Sequence, residues 1–198
     1  MDSRLQLAQS ELILGGQKSG KSRRAEALAQ SWLMANSDHL AVLVATARTG
    51  DDEMRQRIAR HQRDRAERVP GITTVEEPLQ LAQAIAQHSR PDTLVVVDCL
   101  TLWLTNWMMP LDPNEFMKHK LLAQKNNAPV ATLLEAIANA PGPLVLVGNE
   151  IGLGVIPLGA EVRAFVDALG TLNQQVAAAC TRVTLMAAGL PLTLKEES

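Results

Sequence analysis

The chain has 198 residues, 46% of them apolar and 20% charged, with a formal net charge of −2. That size suits one α/β domain with a sizeable core, and the charge balance gives no reason to expect nucleic acid or an anionic membrane as partner. Cys99 and Cys180 are too few for a disulfide scaffold or a cysteine-rich zinc site, and no run reaches about 18 apolar residues, so the expected setting is a reducing cytoplasm, without membrane insertion.

Residues 1–10 read as a flexible leader and 11–198 as one domain. Leu12–Leu14 is the first predicted strand, 22–35 a helix, and 39–45 a β-branched second strand. Residues 51–68 have a helical pattern with Asp51, Asp52 and Glu53 in the first turn, where negative charge suits the helix dipole, and Pro70-Gly71 ends it. Ile72–Val75 predicts a short edge strand, and 78–88 a helix begun by Pro78. Thr93–Val97, leading to Asp98, is the most strand-like run in the chain. The apolar segment 100–109 follows, with Trp103 and Trp107 spaced to share a helical face as core or subunit contacts. A polar helix over 115–140, a buried strand at 143–147, a Gly-rich loop over 148–159, a helix over 161–180 and two closing strands, 182–186 and 190–194, complete the pattern. Strands alternating with helices predict a mostly parallel central sheet covered on both faces.

The strongest motif is Gly15-Gly16-Gln17-Lys18-Ser19-Gly20-Lys21-Ser22. It is the phosphate-loop pattern G-x-x-x-x-G-K-[ST] with a strand before it and a helix after it. A nucleoside triphosphate carries about four negative charges near neutral pH. Backbone N–H groups and the positive end of the following helix meet that charge, while Gly15, Gly16 and Gly20 keep Cβ atoms away from the ligand. Lys21 is placed to reach the β- and γ-phosphates and the Ser22 hydroxyl to ligate Mg²⁺. Asp98, at the end of an apolar strand, is the natural acidic partner for that metal. The plain alternative is a Gly-rich turn between a strand and a helix.

A second constellation lies in 51–68. At helical spacing Met54, Ile58, His61 and Arg65 share one face, with Arg57 and Arg65 four residues on either side of the histidine. On periodicity alone this reads as a solvated, Arg-rich helix with a structural histidine. The functional alternative is a histidine nucleophile among phosphate-binding arginines, kept neutral by neighbouring cations. Glu76 follows the edge strand, where a carboxylate suits a ribose diol or a guanine N–H pair as well as it suits a helix boundary. Asn149 and Glu150 open the Gly-rich loop after a central strand and read as a substrate rim.

Taken together, GGQKSGKS, VATARTGDDEMRQRIARHQRDR, VEEP, VVVDCLTLWLTNWM, GNEIGLGVIP and RAFVDALGTLNQ resemble the bifunctional adenosylcobinamide kinase / adenosylcobinamide-phosphate guanylyltransferase family of cobalamin biosynthesis. The match runs in order over residues 11–195. The resemblance implies a RecA-like P-loop NTPase fold, a homotrimer and two activities. A nucleoside triphosphate, ATP or GTP, phosphorylates adenosylcobinamide. A histidine then takes GMP from GTP and passes it to the cobinamide phosphate. The family's R-I-x-x-H motif falls on Arg57-Ile58-Ala59-Arg60-His61, which makes His61 the nucleophile. The implied nucleotide contacts are Gly15 to Ser22, then Thr46, Ala47 and Arg48, then Gln62, Arg63, Asp64 and Arg65, with Glu76 and Asp98; Mg²⁺ is expected at Ser22 and Asp98. Three departures stand out. Lys18 replaces a usual Arg, Val166 replaces another, and about three extra residues lie between Arg65 and Glu76. Two other readings compete: a P-loop kinase alone with His61 structural, and a nucleotide-binding regulatory or motor module. Against the second, the chain has no N-K-x-D guanine signature and no basic patch.

Overall fold

The structure, a computed structural model, describes residues 6–48, 60, 63–65, 67–110 and 128–197. Seven strands form one sheet in the order β3-β2-β4-β5-β1-β6-β7. They are β1 (Ser10–Gly15), β2 (Leu40–Ala45), β3 (Ile72–Glu76), β4 (Thr93–Asp98), β5 (Leu144–Val147), β6 (Arg182–Ala187) and β7 (Leu190–Glu196). All neighbours pair in parallel except β6 and β7, a hairpin turned at Ala188-Gly189. The described helices are α1 (Lys21–Ala35), α2 (Leu81–His88), α3 (Leu100–Met108), α4 (Ala128–Ala138) and α5 (Ala160–Ala179); residues 63–65 and 67–68 are helical as well.

The period-two alternation of a strand sends successive side chains to opposite faces. Here it divides the core in two. Leu12, Leu14, Val95, Val97, Leu144 and Leu146 pack with residues of α2 to α5, including Leu81, Ile85, Trp103, Leu133 and Leu172. Ile13, Leu94, Val96, Val145 and Val147 pack on the other face with Ala25, Leu28 and Ala29 of α1 and with Val69. The sheet is therefore covered on both sides, as the alternating pattern predicts, which is why its central strands are apolar throughout. Trp103 is a core residue, and its indole donates to the Leu79 carbonyl at 2.9 Å; Trp107 donates to the same carbonyl at 3.3 Å.

One helix start differs from expectation. α2 begins at Leu81 rather than Pro78, because Glu77 Oε1 accepts from the Leu79 and Gln80 amides at 2.9 and 2.8 Å and holds 77–80 in a turn. Residues 51–59, 61, 62 and 66 of the helix predicted over 51–68, and 115–127 of that predicted over 115–140, lie outside the described residues. Among the described residues, no helix is long and apolar enough to cross a membrane.

Candidate active site

The register of the sheet sets the site. Glu76, Ala45, Asp98, Val147, Ile13 and Thr184 form one row across β3, β2, β4, β5, β1 and β6. The C-terminal ends of the parallel strands thus lie along one edge, the edge at which open α/β sheets bind ligands. With about 4.8 Å between strands, Asp98 lies about 10 Å from β1 along that row and Glu76 about 20 Å from it. β5 separates β1 from β4. The phosphate loop and Asp98 thus face each other across one strand end, and Glu76 marks the far end of the same edge.

Backbone geometry rather than side chains shapes the phosphate loop. Gly15 takes φ 152°, and a Cβ there would lie 2.5 Å from both the Met186 carbonyl oxygen and Ser19 Oγ. Gly20 takes φ 103°, in the left-handed region, and its Cα side abuts Gly189, whose amide donates to the Ser19 carbonyl at 3.0 Å. The β6–β7 turn therefore braces the loop from outside the motif. α1 then starts with Gly20 as its N-cap, without a side-chain cap and without an acidic residue in its first turn. Its first amides and its dipole are left for an anion, which is the electrostatic condition for phosphate binding.

Lys21 is buried, and Nζ donates to the Gly16 carbonyl at 2.6 Å across the loop. Burial lowers its pKa from the ordinary lysine value, opposed by the nearby Cys99 and Asp98. Cys99 is the converse case. Burial, then the Asp98 charge, push its thiol up to about 11, so it is a neutral part of the floor. Ser22 is half-buried one residue beyond Lys21, and Gln17 and Lys18 are exposed on the outer rim of the loop. Ser22 and the Asp98 carboxylate, 23% exposed, are hard oxygen donors on the phosphate edge, and this set fits Mg²⁺ held largely by substrate phosphates. Among the described residues no cluster of three or more His, Cys, Asp or Glu is placed to hold a metal by itself.

Arg65 joins this group. Its side chain is 7% exposed, Nη2 lies 3.5 Å from Asp98 Oδ2, and Nε lies 3.9 Å from Glu26 Oε1 of α1. Arg68 anchors the same segment through a 2.6 Å bond to Glu26 Oε2, and Asp64 pairs with Arg68 at 3.3 Å. Arg63 points to solvent. His61 and Gln62 lie outside the described residues.

Thr46, Ala47 and Arg48 follow β2 beside Asp98. Thr46 is fully buried with its polar atoms engaged. Its hydroxyl donates to the Cys99 carbonyl at 2.7 Å and accepts the Cys99 amide at 2.9 Å, while its carbonyl accepts from Asn106 at 2.8 Å. It locks the ends of β2 and β4 together, leaving Ala47 and Arg48, both half-buried, as the more accessible of the three. Glu76 is exposed on the edge strand. Asn149 and Glu150 are half-buried at the root of the loop after β5. The Glu150 amide donates to the Gly15 carbonyl at 3.1 Å, which places this rim directly against the phosphate loop.

Several supporting residues were not singled out from the sequence. Thr101 Oγ1 accepts the Asn149 amide at 2.8 Å, and Asn106 spans the Thr46 and Pro78 carbonyls. Both are buried polar residues in the largely apolar α3, and buried polar groups at such positions imply partners. Under β1, the fully buried Glu11 accepts from Arg24 Nε at 2.8 Å and Thr184 Oγ1 at 2.7 Å, with Arg182 Nη1 3.6 Å from its other oxygen. An acidic residue opening an apolar strand was the available signal.

Residues 11–194 match the family described as cobinamide kinase / cobinamide phosphate guanyltransferase. Over 187 residues the chain is 45% identical to the bifunctional adenosylcobalamin biosynthesis protein CobP of Pseudomonas aeruginosa, covering 94% of this chain and 98% of that protein. It is 36% identical to the corresponding CobU of Escherichia coli over 93% of the chain, and 33% identical to that of Salmonella typhimurium over the same share; 98% of each relative is covered.

Proposed function

The chain belongs to the cobinamide kinase / cobinamide phosphate guanyltransferase family, and from that premise we propose that it performs both reactions at the C-terminal edge of its sheet, on one nucleotide site. In the first, the hydroxyl of adenosylcobinamide attacks the γ-phosphorus of ATP or GTP, forming a phosphate ester and releasing the nucleoside diphosphate and the hydroxyl proton. The loop amides and Lys21 hold the transferring group and stabilise the charge on its oxygens. In the second, His61 attacks the α-phosphorus of GTP and pyrophosphate leaves. The phosphoramidate then yields GMP to the phosphate of the cobinamide product, giving adenosylcobinamide-GDP and the free histidine.

The observation that carries this reading is the tie from Arg65 to Asp98 and Glu26. It sets Arg65, four positions after His61 in the chain, beside the floor of the phosphate loop, and supports a role for that stretch at the nucleotide. Ser22 and Asp98 would hold Mg²⁺, which when bound neutralises phosphate charge. Gln17, Lys18, Ala47, Arg48, Gln62, Arg63, Asp64 and Glu76 are proposed as further nucleotide contacts, and Asn149 and Glu150 as the rim toward the corrinoid. The single continuous sheet supports one domain over 11–198. A cytoplasmic homotrimer is part of the same reading, and light scattering of the purified protein checks the trimer.

The decisive experiment uses GTP labelled at the α-phosphate. Wild-type protein is expected to retain acid-labile, base-stable label, and His61→Ala to lose it while keeping kinase activity. An unlabelled wild type sinks the transferase mechanism. A His61→Ala variant with both activities intact leaves a kinase with a structural histidine.

A further inference from the structure

Arg65 is a buried cation with poor partners. Its contacts with Asp98 and Glu26 are 3.5 and 3.9 Å, longer than hydrogen bonds, and its buried Nε has no hydrogen-bond partner. Glu26 gives its short bond to Arg68 instead. Burying a charge is costly unless it is well paired, so structural need alone accounts poorly for this guanidinium. What distinguishes the position is Asp98, a carboxylate of the phosphate edge that faces both the loop lysine and this arginine.

We propose that Arg65 is a positioning residue that sets how strongly Asp98 engages the metal of the bound nucleotide. The inference rests on the assignment of Asp98 to the metal given above. Arg65 and a divalent cation draw on the same carboxylate charge, so each weakens the hold of the other. Coupling between two such equilibria is reciprocal. Whatever factor Arg65 takes from metal affinity, the metal takes from the Arg65–Asp98 contact.

The test is Mn²⁺ binding, read by electron paramagnetic resonance of the free ion, to full-length protein loaded with a non-hydrolysable GTP analogue. Arg65→Gln is expected to bind Mn²⁺ about three- to tenfold more tightly than wild type, the range expected of one partly buried ion pair. Arg65→Lys, which keeps the charge without the fork, falls between them and serves if the Gln variant does not fold. Asp98→Asn weakens Mn²⁺ binding, and adding Arg65→Gln to it changes nothing further. Unchanged or weaker Mn²⁺ binding in Arg65→Gln, or the same gain in the Asp98→Asn background, overturns the proposal. Asp98→Asn binding Mn²⁺ like wild type overturns it through the metal assignment. None of these readouts depends on label transfer to His61, so failure of the transferase mechanism is seen separately.

Discussion

Two Gly-rich loops leave the C-terminal ends of the paired strands β1 and β5, and they use glycine differently. In the phosphate loop, Gly15 and Gly20 adopt positive φ and have backbone or side-chain atoms where a Cβ would go. In the loop after β5, a Cβ at Gly152 would meet only the Glu150 side chain at 3.1 Å, and one at Gly154 only the Ile151 carbonyl at 3.8 Å. The first loop is packed from beneath by buried Lys21 and from the side by the β6–β7 turn. The second has its root bonded to Gly15 and Thr101, but its course exposes Leu153, Val155, Ile156 and Leu158 at 77–98%. Glycine content is thus no guide to rigidity; what lies within reach of the missing Cβ is. Contiguous exposed apolar residues of this kind mark an interaction surface rather than a core.

The sharpest way to break the comparison is Lys21→Ala. If the phosphate loop serves both reactions, both fall by about 10²–10³-fold, the scale of one lost charge-stabilising donor. Steady-state assays of phosphorylation and guanylylation check it, and a loss confined to one reaction would mean two separate sites. Next is Gly15→Ala. The added methyl meets backbone that cannot swing aside, so nucleotide binding measured by calorimetry weakens at least about tenfold and stability falls by about 1–3 kcal/mol.

A smaller effect is expected in the floor beneath the loop. Burial raises the Cys99 thiol from 9.0 to about 11 in the folded protein. Between those values the unfolded chain has released the proton and the folded chain has not, so stability falls as pH rises from about 9 to about 11. The chain has no tyrosine, and Cys180, raised to about 12, pulls in the same direction. Denaturant midpoints at pH 8 and 10.5 are therefore expected to differ less in Cys99→Ala than in wild type. An equal difference would mean that this thiol is not the group that titrates. The smallest effect closes the series. Gly154→Ala changes stability by no more than about 0.5 kcal/mol, because the new methyl meets only the Ile151 carbonyl, at an unstrained 3.8 Å. A loss near that of Gly15→Ala would show that the two loops are equally constrained.

Much of this molecule was legible in local pattern. The phosphate loop, the strand ending at Asp98 and the alternation of strands and helices are set by residues adjacent in the chain, where spacing and backbone preference act directly. The start of α2 departs from its proline signal because a side-chain bond from Glu77 overrides it, a choice made by one carboxylate rather than by propensity. Thr101 and Asn106 were invisible as supports because their partners, Asn149 and Thr46, lie 48 and 60 residues away.

By itself, then, the sequence determined which groups are proposed to carry the chemistry: the loop of Gly15 to Ser22, Asp98, and a histidine among arginines. Only the tertiary structure decided how they stand to one another. The sheet order inserted β5 between β1 and β4, and the register aligned Glu76, Asp98 and Ile13 in one row. It also brought Arg65 against Asp98, 33 positions further along the chain. The physical reason is that motif chemistry depends on residues a few positions apart, whereas strand pairing and the pairing of buried charges are settled by contacts that exist only once the chain has closed on itself.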